Sequence, residues 1–373
     1  MYYSLPLFSF NLNLWNVLGF IEFKRRERVV AMMAIPCLVN ICQYMHLLKN
    51  WRDMSVIAIG LFMTAILTNS LVRIFSVIKN QSEFVQFFKS IEEWHHEIEM
   101  GKDTQAWNIL KYVPRRTRMI SIVSFTLGSF SAVASALMPL VLKERILPYS
   151  LHIPLVDTLK SPLYEILYTL QGLVSMPFVI LTYVPFTNLF ISWLTYGISM
   201  LKILRHKLES LSYDDDDEKM LKQLKDLINF HHRIIEYCQT LENLVSFTCL
   251  VELFFFTLML CVLMTSFLLL DNLMSRLASC IYTICLLYAL FLEYWHANEI
   301  SSESLKIADA AYNINWNKSS TEVRKCIQIL ILRSQTPLKI RAGGIFPMTL
   351  EAFQSLLNAT YTYFTMLRGM MAK

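Results

Sequence analysis

Seven stretches of about 20 residues carry few or no charges, and no other feature of this chain constrains its fold as much. They cover 29–48, 54–78, 119–142, 163–201, 244–270, 277–297 and 346–367, the fourth being longer than one crossing needs. A bilayer core about 30 Å thick takes roughly 20 apolar residues per helix, and a lone segment satisfies its own backbone amides there only as a helix. The pattern predicts an all-α protein with seven transmembrane helices. With 55% hydrophobic residues, 17% charged residues and 24 Phe in 373 residues, the chain is neither disordered nor a small disulfide-stapled secreted domain.

An odd number of crossings puts the termini on opposite sides. Lys and Arg number 34, with Arg73 inside a span. Placing the N-terminus in the cytoplasm collects 25 of them inside and leaves 8 outside, as the positive-inside tendency demands. The expected topology is therefore N-terminus in, C-terminus out. The same distribution explains the net charge of +5: basic residues flank anionic membrane lipid, and no nucleic acid partner is implied. All eight cysteines (Cys37, Cys42, Cys238, Cys249, Cys261, Cys280, Cys285 and Cys326) fall in spans or inner segments, so no outer disulfide is expected. The glycosylation sequons at Asn80, Asn317 and Asn358 likewise lie inside or within a span. Residues 1–23 lack a basic n-region and a small-residue cleavage site, and 8–20 reads as an interfacial helix rather than a signal peptide.

The domain organisation follows. Residues 1–28 form a cytoplasmic or interfacial segment, 29–201 the first four membrane helices, and 202–243 a cytoplasmic connection that extends the fifth helix. Residues 244–297 hold helices five and six, 298–345 a second cytoplasmic segment, and 346–373 the last helix with a short outer tail. In 202–243 the acidic run 214–218 reads as a solvated turn. Beyond it Leu221, Leu224, Leu227, Ile228, Ile234, Ile235, Leu241 and Leu244 recur at helical spacing. In 298–345, Ala308, Tyr312 and Trp316 step by i+4, and Cys326, Ile327, Leu330 and Ile331 form a second stripe that ends at Pro337. These stripes are expected to meet in a bundle beneath the membrane.

Catalytic constellations are missing. There is no Walker A loop, no G-x-S-x-G and no H-E-x-x-H, so the chain reads as no enzyme and calls for no cofactor. His95-His96 beside Glu92, Glu93 and Glu97, and His231-His232 beside Glu236, are the metal-ligand candidates. Adjacent residues on a helix point to different faces, and no metal site is assigned. Arg73, Glu252 and Glu293, at the inner ends of their spans, are expected to snorkel or pair rather than form an ion relay. With no visible inverted repeat, a transporter of apolar solutes ranks third among the readings.

The last span carries the functional signal. Ser355, Asn358, Thr362, Thr365 and Gly369 recur at steps of three and four, a small polar stripe on a helix otherwise of Phe, Leu, Tyr and Met. Such a stripe faces another helix through close contact and hydrogen bonds, or faces water as a pore wall. In the second case Met366 is a hydrophobic constriction, Arg368 lies near the outer mouth, and several subunits must enclose the pore.

The run Ser334-Gln335-Thr336-Pro337-Leu338, Gly343-Gly344-Ile345-Phe346-Pro347-Met348, Phe353 and 361–367 (YTYFTML) resembles the C-terminal signature of insect odorant receptors. Leu147-Pro148-Tyr149, Pro154, Ser161-Pro162 and Tyr164 are similar to that family's second outer loop, and the Tyr312/Trp316 pair to its cytoplasmic linker. Related gustatory receptors follow the Thr-Tyr pair with five apolar residues and Gln-Phe, whereas Thr362-Tyr363 here leads to Arg368-Gly369-Met370. The resemblance implies a tetrameric, odorant-gated cation channel in the plasma membrane of sensory neurons. In that family the last helix lines the pore, and cytoplasmic helices, here with Tyr312, Trp316 and Pro337, form an anchor. The short 202–243 connection resembles that of a ligand-tuning subunit, whose partner is the co-receptor with its longer connection. The family's pocket lies in the outer half of the bundle. Carried onto this chain, the odorant candidates are Phe62, Met63 and Ile66; Ser131, Ser135 and Met138; Tyr168, Ser175 and Met176; and Tyr282. The ligand is then a small volatile odorant, with Ser135 and Tyr282 orienting it. The competing reading, a seven-helix G-protein-coupled chemoreceptor, lacks the Asp-Arg-Tyr-like triplet, the Asn-Pro-x-x-Tyr and the outer Cys pair.

Overall fold

The computed structural model describes residues 9–18, 26–52, 54–101, 103–142, 145–211, 216–269, 273–314 and 316–371. In chain order its helices are α1 (Ser9–Leu18), α2 (Arg26–Lys49), α3 (Met54–Lys79), α4 (Gln81–Met100), α5 (Thr104–Lys111), α6 (Val113–Leu142) and α7 (Leu163–Leu170). A π-turn (Gln171–Ser175) joins α7 to α8 (Met176–Glu209). Then come α9 (Asp217–Leu269), α10 (Leu273–Tyr312), α11 (Thr321–Ser334), a two-residue hairpin β1 (Arg341–Ala342) and β2 (Phe346–Pro347), and α12 (Leu350–Met371). Six expected spans fall on helices over their described residues, and the last, expected from 346, begins at Leu350 because Phe346–Pro347 pair in the hairpin. Within the described residues five helical stretches, Gly60–Lys79, Thr104–Leu137, Leu163–Glu209, Asp217–Phe267 and Arg276–Tyr312, are long and apolar enough to cross a membrane. Helices α2 and α12 occupy the other two expected spans and are more polar, α2 through Asn40, Gln43 and His46, α12 through its hydroxyl stripe.

Helix α8 is the hub. Leu189, Phe190, Trp193, Leu194 and Tyr196 are fully buried, as are the polar Ser192 and Thr182, whose hydroxyls donate to the carbonyls of Asn188 and Phe178 one turn earlier. Within an all-round buried helix these two hydroxyls find their partners on the helix's own backbone. Around α8 stand α3, α6, α9 and α10. By contrast α6 leaves Met119, Ile122, Phe130 and Val133 outward, the surface a lipid-facing helix presents.

Three long helices continue past the membrane segments. The lower half of α9 buries Leu224, Leu227, Ile234, Ile235, Leu241 and Leu244 along the anticipated stripe. Trp94 of α4 closes over it, its ring meeting Tyr196, Phe230 and Tyr237 edge-on. Asp103 caps α5 by accepting from the Gln105 and Ala106 amides, and Ser320 caps α11 through Val323. At the end of α10 the inward face is Ile307, Ala310 and Ala311, with Ile314 buried just beyond the helix, so Tyr312 stands 65% exposed with its ring against half-buried Trp316. The i+4 steps from Ala308 mark the rim of the buried face. Pro337 is half-buried where α11 stops.

The hairpin fixes where α12 starts. Gly343 and Gly344 both have positive φ (63° and 71°), and the Gly343 amide donates to Ser246 O of α9 at 2.9 Å. A β-carbon on Gly343 would come within 2.8 Å of Leu250. Glycine is required there for both conformation and contact.

Candidate ligand cavity and polar helix face

A cavity of about 140 Å³ lies between α3, α6, α8 and α10. Each helix supplies one face at helical spacing: Phe62, Met63 and Ile66; Ser124, Gly128, Ser131 and Ser135; Met176, Val179, Tyr183 and Thr187; Tyr282, Cys285 and Ala289. Tyr149, from the outer loop, closes one end. A loop residue lines the cavity because Leu147, Tyr149 and Leu151 are all buried. Gln171 secures that arrangement, its amide accepting from Tyr149 N and donating to Tyr149 O, both at 2.9 Å. The π-turn at Gln171 shifts the helix register where this clamp sits, a common use of such turns.

At the boundary of the cavity, Ser135 Oγ and the Tyr282 hydroxyl are 2.5 Å apart, and the Tyr282 ring stacks on Phe62 with centroids 5.0 Å apart. All three side chains are buried. At the opposite end a buried charge network forms the floor. Arg73 Nη1 donates to Tyr183 O (2.9 Å) and Thr187 Oγ1 (2.6 Å), and Nη2 pairs with Glu252 and, at 3.5 Å, with Glu293. The Tyr183 hydroxyl donates to Glu252 at 3.2 Å, and the guanidinium lies over the Tyr183 ring, 3.9 Å from its centroid. The three charged side chains pair, then, rather than snorkel. Tyr183 and Thr187 belong to both the cavity and the network.

Of the ten residues expected to bind ligand, Phe62, Met63, Ile66, Ser131, Ser135, Met176 and Tyr282 line this cavity. Tyr168 does not. Its hydroxyl donates to Ala136 O and its ring stacks on Tyr164, so it ties α7 to α6. Ser175, the last residue of the π-turn, is buried without lining it, because as the neighbour of Met176 it points to a different helix face. The side chain of Met138 lies outside the described residues. Tyr183, Thr187, Cys285 and Tyr149 were missed. The first three follow from extending the Tyr282 face by one turn and the Met176 face by two and three turns; Tyr149 needed the fold of the loop.

The other candidate surface is on α12. Phe353, Leu356 and Leu357 pack against the core and Thr360 is buried, while Ser355, Asn358, Thr362, Thr365, Met366 and Gly369 are all on the exposed side. The hydroxyls of Ser355 and Thr362 donate back to the carbonyls of Glu351 and Asn358, and Thr365 to Thr362. This leaves oxygen lone pairs outward. Phe291 and Tyr294 of α10 meet Phe353 with ring centroids 5.9 and 6.0 Å apart. The His pairs split as helix geometry requires: His95 and His231 are buried, whereas His96 and His232 are exposed beside Glu99 and Glu236. All eight cysteines are free.

A family model described as 7tm Odorant receptor matches residues 53–361. The chain belongs to the 7tm odorant receptor family. Odorant receptor 10 of Aedes albopictus is 32% identical over 370 residues, covering 98% of both chains. Odorant receptor Or2 of Anopheles gambiae is 31% identical over 371 residues, covering 97% of both. Among solved structures, the insect olfactory receptor OR5 of Machilis hrabei in complex with eugenol superposes on this receptor with a TM-score of 0.82. That pair shares 20% identity, with 93% of this chain and 91% of that chain covered. The fold is that of an insect olfactory receptor, and the receptor is a membrane protein.

Proposed function

We propose that this receptor is the odorant-tuning subunit of a heteromeric, odorant-gated cation channel in the plasma membrane of sensory neurons. A small, mostly apolar volatile occupies the cavity, and the partner is the family's co-receptor. The observation that carries this reading is the division of α12: Phe353, Leu356 and Leu357 pack it against the core, and Ser355, Asn358, Thr362 and Thr365 are left facing outward beside exposed Tyr361, Tyr363 and Met366. A helix with an outward polar stripe at membrane depth needs water or a polar neighbour, and a ring of such helices around an axis supplies a hydrated path for cations. Supporting the sensor role, an apolar cavity of roughly 150 Å³ holds a benzene-sized ring, and the present one adds a hydroxyl pair for orientation.

Gating requires that ligand bind the open arrangement better than the closed one. Contacts for it run from Tyr183 and Thr187 through Arg73 to Glu252 and Glu293, and Tyr294, the neighbour of Glu293 along α10, touches Phe353 of α12. Co-expression with the co-receptor should yield odorant-evoked currents, and Thr362→Val with Met366→Ala should alter relative cation permeability. An N-terminal tag is expected inside and a C-terminal tag outside. Currents whose selectivity ignores every substitution on the outward face of α12 would refute the pore assignment.

A further inference from the structure

The cavity described above does not end at Ser135 and Tyr282. Beyond them a second space of about 110 Å³ opens between α9, α10, the end of α6 and the outer loop, lined by Leu263, Ala278, Ser279, Ile146, Pro148 and Ser150 among others. Four side chains, Phe62, Met63, Ser135 and Tyr282, wall both spaces. They form a septum one side chain thick, closed by one hydrogen bond and one ring stack.

We propose that the outer space is a second binding chamber for the same small apolar volatile, and that ligand reaches the inner cavity by swinging the Ser135–Tyr282 septum open. This rests on the odorant-gated reading above. Three features support it. The outer chamber touches the exterior, since Ile146 at its rim is 38% exposed. The far end of the inner cavity is closed by the Arg73 network, where breaking buried charge pairs makes passage costly. The loop roof need not move, because the Gln171 clamp holds Tyr149 in place while the passage lies beside it. The chemistry of the two chambers also matches: both are apolar with a few hydroxyls, Ser266 and Ser279 in the outer one. A ligand hydroxyl entering the septum can replace Ser135 or Tyr282 as hydrogen-bond partner. The septum then opens without stranding a buried hydroxyl, whose desolvation is the main barrier to opening.

The test separates a passage from a packing void. Leu263→Trp on α9 and, independently, Ala278→Leu on α10 fill the outer chamber from residues that do not line the inner one. A panel of small volatile alcohols serves as the probe, and the strongest agonist is applied in rapid pulses to the receptor co-expressed with its co-receptor. An obstructed passage slows ligand arrival and departure alike. Current onset and decay are both expected to slow by at least about five-fold, the effect of roughly 1 kcal/mol on a barrier. The half-maximal concentration stays unchanged, which also shows that the inner cavity is still folded. Ser135→Ala is expected to speed both phases. Wild-type kinetics in both filled variants, or slowing of one phase with a shifted half-maximal concentration, overturns the chamber. Silence of the wild type overturns the channel reading, and the chamber with it.

Discussion

Replacing Tyr282 by Phe removes one oxygen and leaves the ring that stacks on Phe62. What is lost is the hydrogen bond to Ser135, between two buried side chains. A neutral intramolecular hydrogen bond contributes about 1 kcal/mol net, and a buried partner left unsatisfied costs roughly 1–3 kcal/mol. Ser135 lies in a helix where Ser and Thr commonly donate to the carbonyl four residues earlier, as Thr117 and Thr126 of the same helix do. Its hydroxyl has that alternative, so the cost to folding stays near 1 kcal/mol and surface expression is retained. The effect on ligand depends on the ligand. An odorant with a hydroxyl or carbonyl loses its orienting partner and about 1 kcal/mol, hence an increase of about five-fold in half-maximal concentration. The matched hydrocarbon makes no such bond and changes less than about two-fold. Concentration–response curves for alcohol and hydrocarbon pairs in cells expressing both subunits measure this directly. Equal shifts for both members of each pair would show that Tyr282 shapes the cavity without orienting the ligand. No shift for any odorant with alanine at both Ser135 and Tyr282 would place the binding site elsewhere.

Other perturbations address the frame around the cavity. Arg73→Gln leaves Glu252 and Glu293 without their shared cation in the core, a loss of about 3–5 kcal/mol. Surface staining should nearly vanish, and the triple change Arg73→Met, Glu252→Leu, Glu293→Leu should recover most of it. Gly343→Ala sets a β-carbon against Leu250 at a positive φ, which should lower the melting temperature of purified receptor by several degrees, since about 1–2 kcal/mol is at stake. His231 has its pKa lowered to about 4 by burial and by nearby Arg333 and His232. The folded state holds it neutral, so stability is complete above about 6.5, the unfolded value, and falls as pH drops from there toward 4. His231→Gln should flatten that part of the melting-temperature profile, and an unchanged slope would assign the acid sensitivity to other groups.

How much of this was legible in the sequence depends on the range over which each feature is determined. Helix positions follow from local hydropathy, and the α9 stripe from Leu224 to Leu244 is buried where a 3.6-residue period puts it. The cavity faces were legible as far as periodicity carries, which is why Met176 predicts Tyr183 and Thr187 once the face is followed inward. Tyr168 lies off the cavity for a reason that sits in one turn. The π-turn at Gln171–Ser175 adds a residue to the period, so positions before it leave the face that Met176 continues, whereas Ser175 is simply the neighbour of Met176 on another face. Nothing in QGLVS marks this, because the turn is held by the partnership of Gln171 with Tyr149, 22 residues away in a loop.

Arg73 shows the limit from the other side. Its charge within a span was visible, as were Glu252 and Glu293, and pairing was one of two outcomes the inner ends of those spans allowed. What decided between them is α8, which carries no charge near this depth but offers Tyr183 O, Thr187 Oγ1 and two aromatic faces to the guanidinium. A buried arginine has five donors to satisfy; Tyr183 O and Thr187 Oγ1 take up Nη1, which the carboxylates do not reach, while Nε is left without a partner. Because two of those α8 residues also line the cavity, the same contacts that make the buried arginine tolerable join the ligand site to the helices that hold α12. Any volatile large enough to press on Tyr183 acts on that network, and one too small to reach it binds without that leverage. Agonism in a homologous series should therefore rise with ligand length until the cavity is filled from Tyr282 to Thr187. A monotonic fall with length would mean that occupancy of the septum end alone opens the channel.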